Sequence, residues 1–265
     1  MDRIKTTFQR LADNNEKALV GFVSAGDPSP EVSRDIILAM CRSGLDILEL
    51  GVPFSDPTAD GPVIQRASAR ALQNGITLET VLLLAAEVRA ESDIPVVIFS
   101  YYNPIHAMGA ERFFKKAVDA GADGVLVVDL PPEESAELTD GWPDHPFALI
   151  RLIAPTTPDD RIATIAGAAT GFLYLVSMTG VTGSGGLDTG FIAEYCRRVR
   201  ARTALPLCVG FGISTAADVG AVARVADGVV IGSAFEKTIE ENRDHPDLPG
   251  LLAEQVRAFK AATRA

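Results

Sequence analysis

Histidine, cysteine and lysine are sparse in this chain, and the histidines and cysteines do not cluster. The three histidines, His106, His145 and His245, fall in loop-like segments without ligand spacing, which argues against a metal centre. The three cysteines, Cys41, Cys196 and Cys208, form no CxxC or zinc pattern and read as buried free thiols. The lysines are Lys5, Lys17, Lys115, Lys116, Lys237 and Lys260, and none lies in a strand-like run. A Schiff base inside a barrel therefore has no amine. The formal net charge is −11, without the basic excess that nucleic acid or an anionic membrane surface calls for. No apolar stretch is long enough to span a bilayer. The N-terminus lacks the apolar run of a secretory signal. The expectation is a cytoplasmic, reduced protein with no nucleic-acid or membrane partner. No linker, low-complexity tract or composition shift divides the 265 residues, so residues 1–265 read as one domain.

What the chain does contain is a regular alternation. Apolar, strand-like runs fall at residues 18–24, 46–50, 96–100, 124–129, 147–153, 171–177, 207–211 and 228–231. Several show little polar alternation, as strands covered on both faces do. Helix-like segments separate them. Ser29-Pro30 and Thr157-Pro158 place a cap before a first-turn proline, Gly44 can close the helix that Ser29 opens, and Ser214 opens another. A weak echo joins residues 44–51, 120–129 and 225–232, each a helix end, a tight turn with an Asp and a buried strand. Eight strand–helix units predict a closed (β/α)8 barrel, since no dinucleotide fingerprint follows the first strand. Extra helices are expected at residues 3–11 and, after strand 2, at 77–91. Residues 140–146 read as a polar turn.

In such a barrel the reactive groups sit where strands end. Three carboxylates reach that face: Glu49 at the end of strand 2, Asp60 in the following loop, and Asp129 after strand 4. Ile47 and Glu49 share one face of their strand and Leu48 and Leu50 the other. If the leucines pack against helices, Glu49 points into the barrel mouth. Burying it ionised and unpaired costs several kcal/mol. Pro53 and Pro57 restrict the loop that presents Asp56 and Asp60. Asp129 precedes Leu130-Pro131-Pro132 and could brace that loop. Glycine-rich turns at 179–186, 210–214 and 232–233 follow the last three strands, where backbone N–H groups can surround a phosphate. The run 180–190 also reads as a lid. These features imply carboxylate acid–base chemistry on a phosphorylated substrate, without metal, cofactor or covalent intermediate.

Nearly the whole chain resembles the tryptophan synthase alpha chain family. The resemblance rests on residues 48–62 (LELGVPFSDPTADGP), with Tyr102-Asn-Pro104, Asp129-Leu-Pro131, Gly180-Val-Thr-Gly183, Val209-Gly-Phe-Gly-Ile-Ser214 and Ile231-Gly-Ser233. Thr58 departs from the aliphatic or tyrosine residue usual there, which bears on loop packing; 184–186 lies in a variable stretch. The resemblance implies retro-aldol cleavage of indole-3-glycerol phosphate to indole and glyceraldehyde 3-phosphate. By it, Glu49 carries the protons and Asp60 stabilises charge on the ring nitrogen. It places Tyr174 beside Glu49, Phe22 and Phe211 against the substrate, and Thr182 on Asp60. Gly183, Gly212, Gly232 and Ser233 would bind the phosphate. It also implies a pyridoxal-phosphate-dependent beta chain as partner in an α2β2 assembly. The C-terminal-face loops at 52–60, 102–108, 131–132 and 179–186, with Phe54, Ile105 and Met108 as apolar members, would dock on that partner. Three other readings stay open on the residues alone: a stand-alone lyase, a sugar-phosphate isomerase or epimerase, and a non-catalytic regulatory subunit.

Overall fold

The computed structural model describes residues 2–142, 145–177, 187–210 and 212–264. Eight parallel strands close on themselves in sequence order: β1 (Ala18–Ser24), β2 (Ile47–Gly51), β3 (Val96–Ser100), β4 (Gly124–Val127), β5 (Ala148–Ile153), β6 (Leu173–Val176), β7 (Leu207–Gly210) and β8 (Gly228–Ile231). The helices are α1 (Arg3–Asp13), α2 (Pro30–Arg42), α3 (Pro62–Gln73), α4 (Leu78–Glu91), α5 (Tyr102–Met108), α6 (Ala110–Asp119), α7 (Ala136–Thr139), α8 (Asp159–Gly167), α9 (Thr189–Arg200), α10 (Ala216–Ala223), α11 (Ser233–Glu241) and α12 (Leu248–Ala262). The barrel and its extra helices match the expectation. None of the described helices is long and apolar enough to cross a membrane.

Two packed cores explain why the strand sequences are apolar on both faces. Val20, Ile47, Val97, Leu126, Ile150, Phe172, Cys208 and Val230 fill the barrel interior. Helix α1 plugs the bottom of that core with Ile4 and Leu11, and Phe8 packs on Phe172 with ring centroids 5.9 Å apart. Leu48, Leu50, Val125, Leu173 and Val229 belong instead to the layer between strands and helices.

The repeated Asp of the sequence echo has a mechanical meaning. Asp46, Asp123 and Asp227 each precede a strand, and each accepts a backbone N–H from the strand before it: Leu19, Val96 and Leu207 respectively, all at 2.9 Å. Arg89 and Lys260 neutralise two of these buried acids, at 2.7 Å from Asp123 and Asp46. The same device thus staples neighbouring units at the N-terminal end of the barrel.

Several local readings shift. Ser29 caps α2 as expected, accepting from Val32 N at 3.3 Å. Thr157 does not cap α8. Its hydroxyl accepts from Ala154 N in the preceding turn, and Pro158 takes the cap position. Helix α10 opens at Thr215, one residue after Ser214, because Thr215 and Asp218 form a reciprocal capping box. His106 lies within α5, not in a loop. Ile105 is fully buried against the outer core and is therefore no docking residue. Of the run 180–190, and of the docking loop 179–186, residues up to 186 lie outside the described residues; Asp188 accepts from Phe191 N at 2.9 Å and caps α9, which starts at Thr189.

Candidate active site

The site begins with the register of β2. Glu49 sits level with Phe22 on β1 and Val97 on β3. Its neighbours Leu48 and Leu50 pack outward against helices, so Glu49 faces inward, as the alternation requires. None of its surface is exposed, and neither carboxylate oxygen has a hydrogen-bond partner among the described residues. Burial without a cation raises its pKa to about 8. A buried polar group left without a partner is costly, and this one opens onto a cleft.

Asp60 lines the same cleft, at the end of the proline-restricted loop and just before α3. Burial raises its pKa to about 6, while the Tyr101 hydroxyl beside it draws it down. The same hydroxyl accepts the Ala59 backbone N–H at 2.9 Å, and the Tyr101 ring stacks on Phe54 at 5.0 Å. Ser68 on α3 completes the loop's anchorage, accepting from Phe54 N at 2.8 Å.

The cleft holds a narrow cavity of about 60 Å³ that opens to solvent at its mouth. Its walls are Phe22, Phe99, Ile64, Ile213, Val230 and Tyr174. Gly212, Gly232 and Ser233 also line it, and Gly61 adjoins Asp60 there. Two glycines have definite reasons. Gly212 adopts φ +71°, which favours glycine. A Cβ on Gly210 would fall 2.3 Å from the Tyr174 hydroxyl, so this residue makes the room Tyr174 occupies. Burial, with Glu49 nearby, pushes the Tyr174 phenol well above its ordinary pKa.

Of the residues singled out in the sequence, Phe22, Glu49, Asp60, Tyr174, Gly212, Gly232 and Ser233 thus border one cleft. Thr182, Gly183 and Phe211 lie outside the described residues. Asp129 does not reach the cleft lining. Its Oδ1 accepts from Tyr102 N at 2.7 Å and braces the start of α5. Tyr101, Phe99 and Ile64 went unmarked in the sequence. Only the alternation of β3 gave a signal for Phe99, whereas Tyr101 and Ile64 had none.

A parallel barrel with two perturbed carboxylates lining one apolar cleft at its C-terminal mouth defines an acid–base enzyme of the (β/α)8 class. The family model described as "Tryptophan synthase alpha chain" matches residues 8–264. The tryptophan synthase alpha chain of Desulfosudis oleivorans is 66% identical over 264 residues, covering 100% of both chains. That of Desulfatibacillum aliphaticivorans is 58% identical, again covering 100% of both. Among solved structures, subunit alpha from Legionella pneumophila superposes with a TM-score of 0.92 at 38% identity, covering 99% of this chain and 98% of that one. A chain of tryptophan synthase from Mycobacterium tuberculosis in its aminoacrylate-bound form gives 0.89 at 30% identity, covering 100% of both. The chain belongs to the tryptophan synthase alpha chain family. It is a lyase of tryptophan biosynthesis that cleaves indole-3-glycerol phosphate.

Proposed function

We propose that Glu49 carries both protons of this cleavage and that Asp60 stabilises the charge that develops on the ring nitrogen. The observation that carries the assignment is the Glu49 carboxyl, fully buried, without a partner and open to the cleft that Asp60 borders. The carbon–carbon bond breaks only after C3 of the indole ring gains a proton, because an indolyl anion leaves poorly. A carboxyl whose pKa is near 8 is still protonated at neutral pH and can give that proton. The resulting carboxylate then takes the proton from the side-chain hydroxyl next to the breaking bond, which becomes the aldehyde. The electrons of that bond return to the ring. Protonation at C3 puts positive charge on the ring nitrogen. Asp60, with its pKa near 6, is mostly ionised at neutral pH and supplies the opposing charge. Two carboxyls with pKa values pushed apart suit these two roles.

The apolar walls Phe22, Phe99, Ile64 and Tyr174 suit a flat indole ring. Phosphate is assigned to the backbone N–H groups of Gly183, Gly212, Gly232 and Ser233, with Thr182 closing onto Asp60 and Phe211 against the substrate. No basic side chain borders the described part of the cleft, so amide donors and the start of α11 carry that task. Residues 1–265 act as one catalytic domain, in the cytoplasm, without a cofactor of their own.

The partner we propose is a beta chain that consumes the indole. Free indole is apolar and escapes easily, so docking the barrel mouth onto its consumer conserves product. Phe54, Met108 and the 131–132 prolines on the C-terminal face are the members of that surface. The test measures indole release from indole-3-glycerol phosphate with and without the cognate beta chain. The expected result is slow release alone, a faster rate with the partner, and co-elution of the two. No complex and no rate change leaves a stand-alone lyase; no indole at all overturns the assignment of Glu49 and Asp60.

A further inference from the structure

A second fully buried carboxyl lies outside the chemistry above. Glu236 occupies the first turn of α11, one turn beyond Gly232 and Ser233. Its backbone N–H donates to the Gly232 carbonyl at 3.0 Å. Its Oε1 accepts the backbone N–H of Ser24, at the end of β1, at 2.5 Å. This bond ties the start of α11 to the strand that carries Phe22. The Phe22 ring in turn rests against Gly232, where a Cβ would lie 3.3 Å from it. Ser24, Phe22, Gly232 and Glu236 therefore form a closed brace along one edge of the cleft.

Glu236 forms no ion pair among the described residues, and the nearby Arg70 charge only partly offsets its burial. Its Oε2 lacks a donor among the described residues, and the carboxylate of Asp27, from the β1–α2 connection, lies beside the Glu236 carboxyl. Asp27 is buried and takes two N–H bonds from Arg70 on α3, at 2.7 and 2.8 Å. Arg70 also reaches Glu240 at 2.8 Å, and Arg66 on α3 holds the same carboxylate at 2.7 Å. From α12, the other helix against α11, the contacting polar group is the neutral Gln255, which accepts from Thr238. The two arginines are thus committed to Asp27 and Glu240. Two adjacent carboxylates offer only acceptors, and a proton between them supplies the missing donor. Burial first, and the Asp27 charge next to it, raise the Glu236 pKa to about 8.

We propose that Glu236, in its neutral form, is a positioning residue for the substrate phosphate: it pins the α11 N-terminus to β1 without placing a negative charge in the helix's first turn. An ionised carboxylate there would oppose a phosphate dianion at the end of the same helix. The inference rests on the phosphate reading given above.

Glycerol 3-phosphate, which carries the phosphate without the ring, is the probe, titrated by calorimetry. E236Q keeps the acceptor for Ser24 and a donor for Asp27. E236M keeps the length and loses both. Wild type and E236Q are expected to bind within threefold of each other, and E236M at least tenfold more weakly. In indole cleavage, E236M should raise KM at least tenfold while kcat stays within threefold. In an E49Q background, which removes the other buried acid, affinity should fall at least threefold between pH 7 and 9. E49Q/E236Q should lose that fall. Equal binding by E236M and wild type, or an alkaline fall that persists in E49Q/E236Q, overturns the inference while leaving the phosphate site intact. The second readout stands even if E236M does not fold. Wild-type protein that fails to bind the probe overturns the phosphate reading itself, and this inference with it.

Discussion

Tyr101 and Asp60 are 41 residues apart in sequence and meet at the mouth of the barrel, where the phenol hydroxyl faces the carboxylate and accepts the Ala59 N–H at 2.9 Å. Tyr101 thereby holds the loop that presents Asp60 and keeps that acid more ionisable than burial alone would allow. Tyr101→Phe removes both effects and retains the ring that stacks on Phe54. We expect kcat/KM to fall roughly tenfold, which corresponds to ~1.4 kcal/mol. The acid limb of the rate profile should move to higher pH, because Asp60 loses the hydrogen bond that lowers its pKa. A pH–rate series on the variant checks this; an unmoved acid limb removes Tyr101 from the description of Asp60.

Glu49→Gln should abolish nearly all indole release, since general acid–base groups are typically worth ~10²–10⁴-fold and this one serves twice. The fold should persist and, at alkaline pH, be more stable than that of the wild type. The sign follows from the raised pKa. The folded state holds the Glu49 proton more tightly than the unfolded chain, so stability is greatest below the unfolded value of 4.5 and declines as pH rises to about 8. Glutamine carries no such decline. Denaturant melts at pH 5 and pH 9 should therefore show a wild-type loss that the variant lacks in part. More than about a tenth of wild-type activity in Glu49→Gln would contradict its role.

The rate of the wild type should pass through a maximum between about pH 6 and about pH 8. Below the lower value Asp60 becomes protonated and ceases to oppose the ring charge; above the upper one Glu49 has no proton to give. Asp60→Asn should flatten the acid limb and leave some residual rate, because an amide oxygen still accepts from the indole N–H. Steady-state kinetics across pH 5 to 9 decides the matter, and a profile rising steadily to pH 9 would count against a protonated Glu49.

Gly210→Ala should disturb Tyr174 from a distance in sequence. The new Cβ meets the phenol at 2.3 Å and its ring at 2.7 Å, an overpacking worth about 1–3 kcal/mol. Pairing it with Tyr174→Ala relieves the clash, so the double variant should be more stable than the sum of the two singles predicts. Additive melting behaviour would show that Tyr174 can leave without cost.

The sites of chemistry were legible in the sequence wherever a local pattern carries directional information. Strand periodicity put Glu49 opposite the leucines and hence inside the barrel. Prolines at 53 and 57 limited the loop that ends at Asp60. The recurring Asp at 46, 123 and 227 marked the turn into a strand, and each closes its turn in the same way. These properties depend on a residue's near neighbours, so the chain encodes them locally. Tyr101 on Asp60, Gly210 under Tyr174, the burial of Ile105 and the bond from Ser24 to Glu236 across 212 residues belong to a different kind. They arise only when β1 closes against β8 and the loops converge over the barrel. Closure also excludes water from Glu49 and Glu236, and that desolvation raises their pKa values. Which residues can do acid–base work was written in the local sequence. Which protons they hold at neutral pH was decided by the tertiary structure, because the cost of a buried charge depends on everything packed around it.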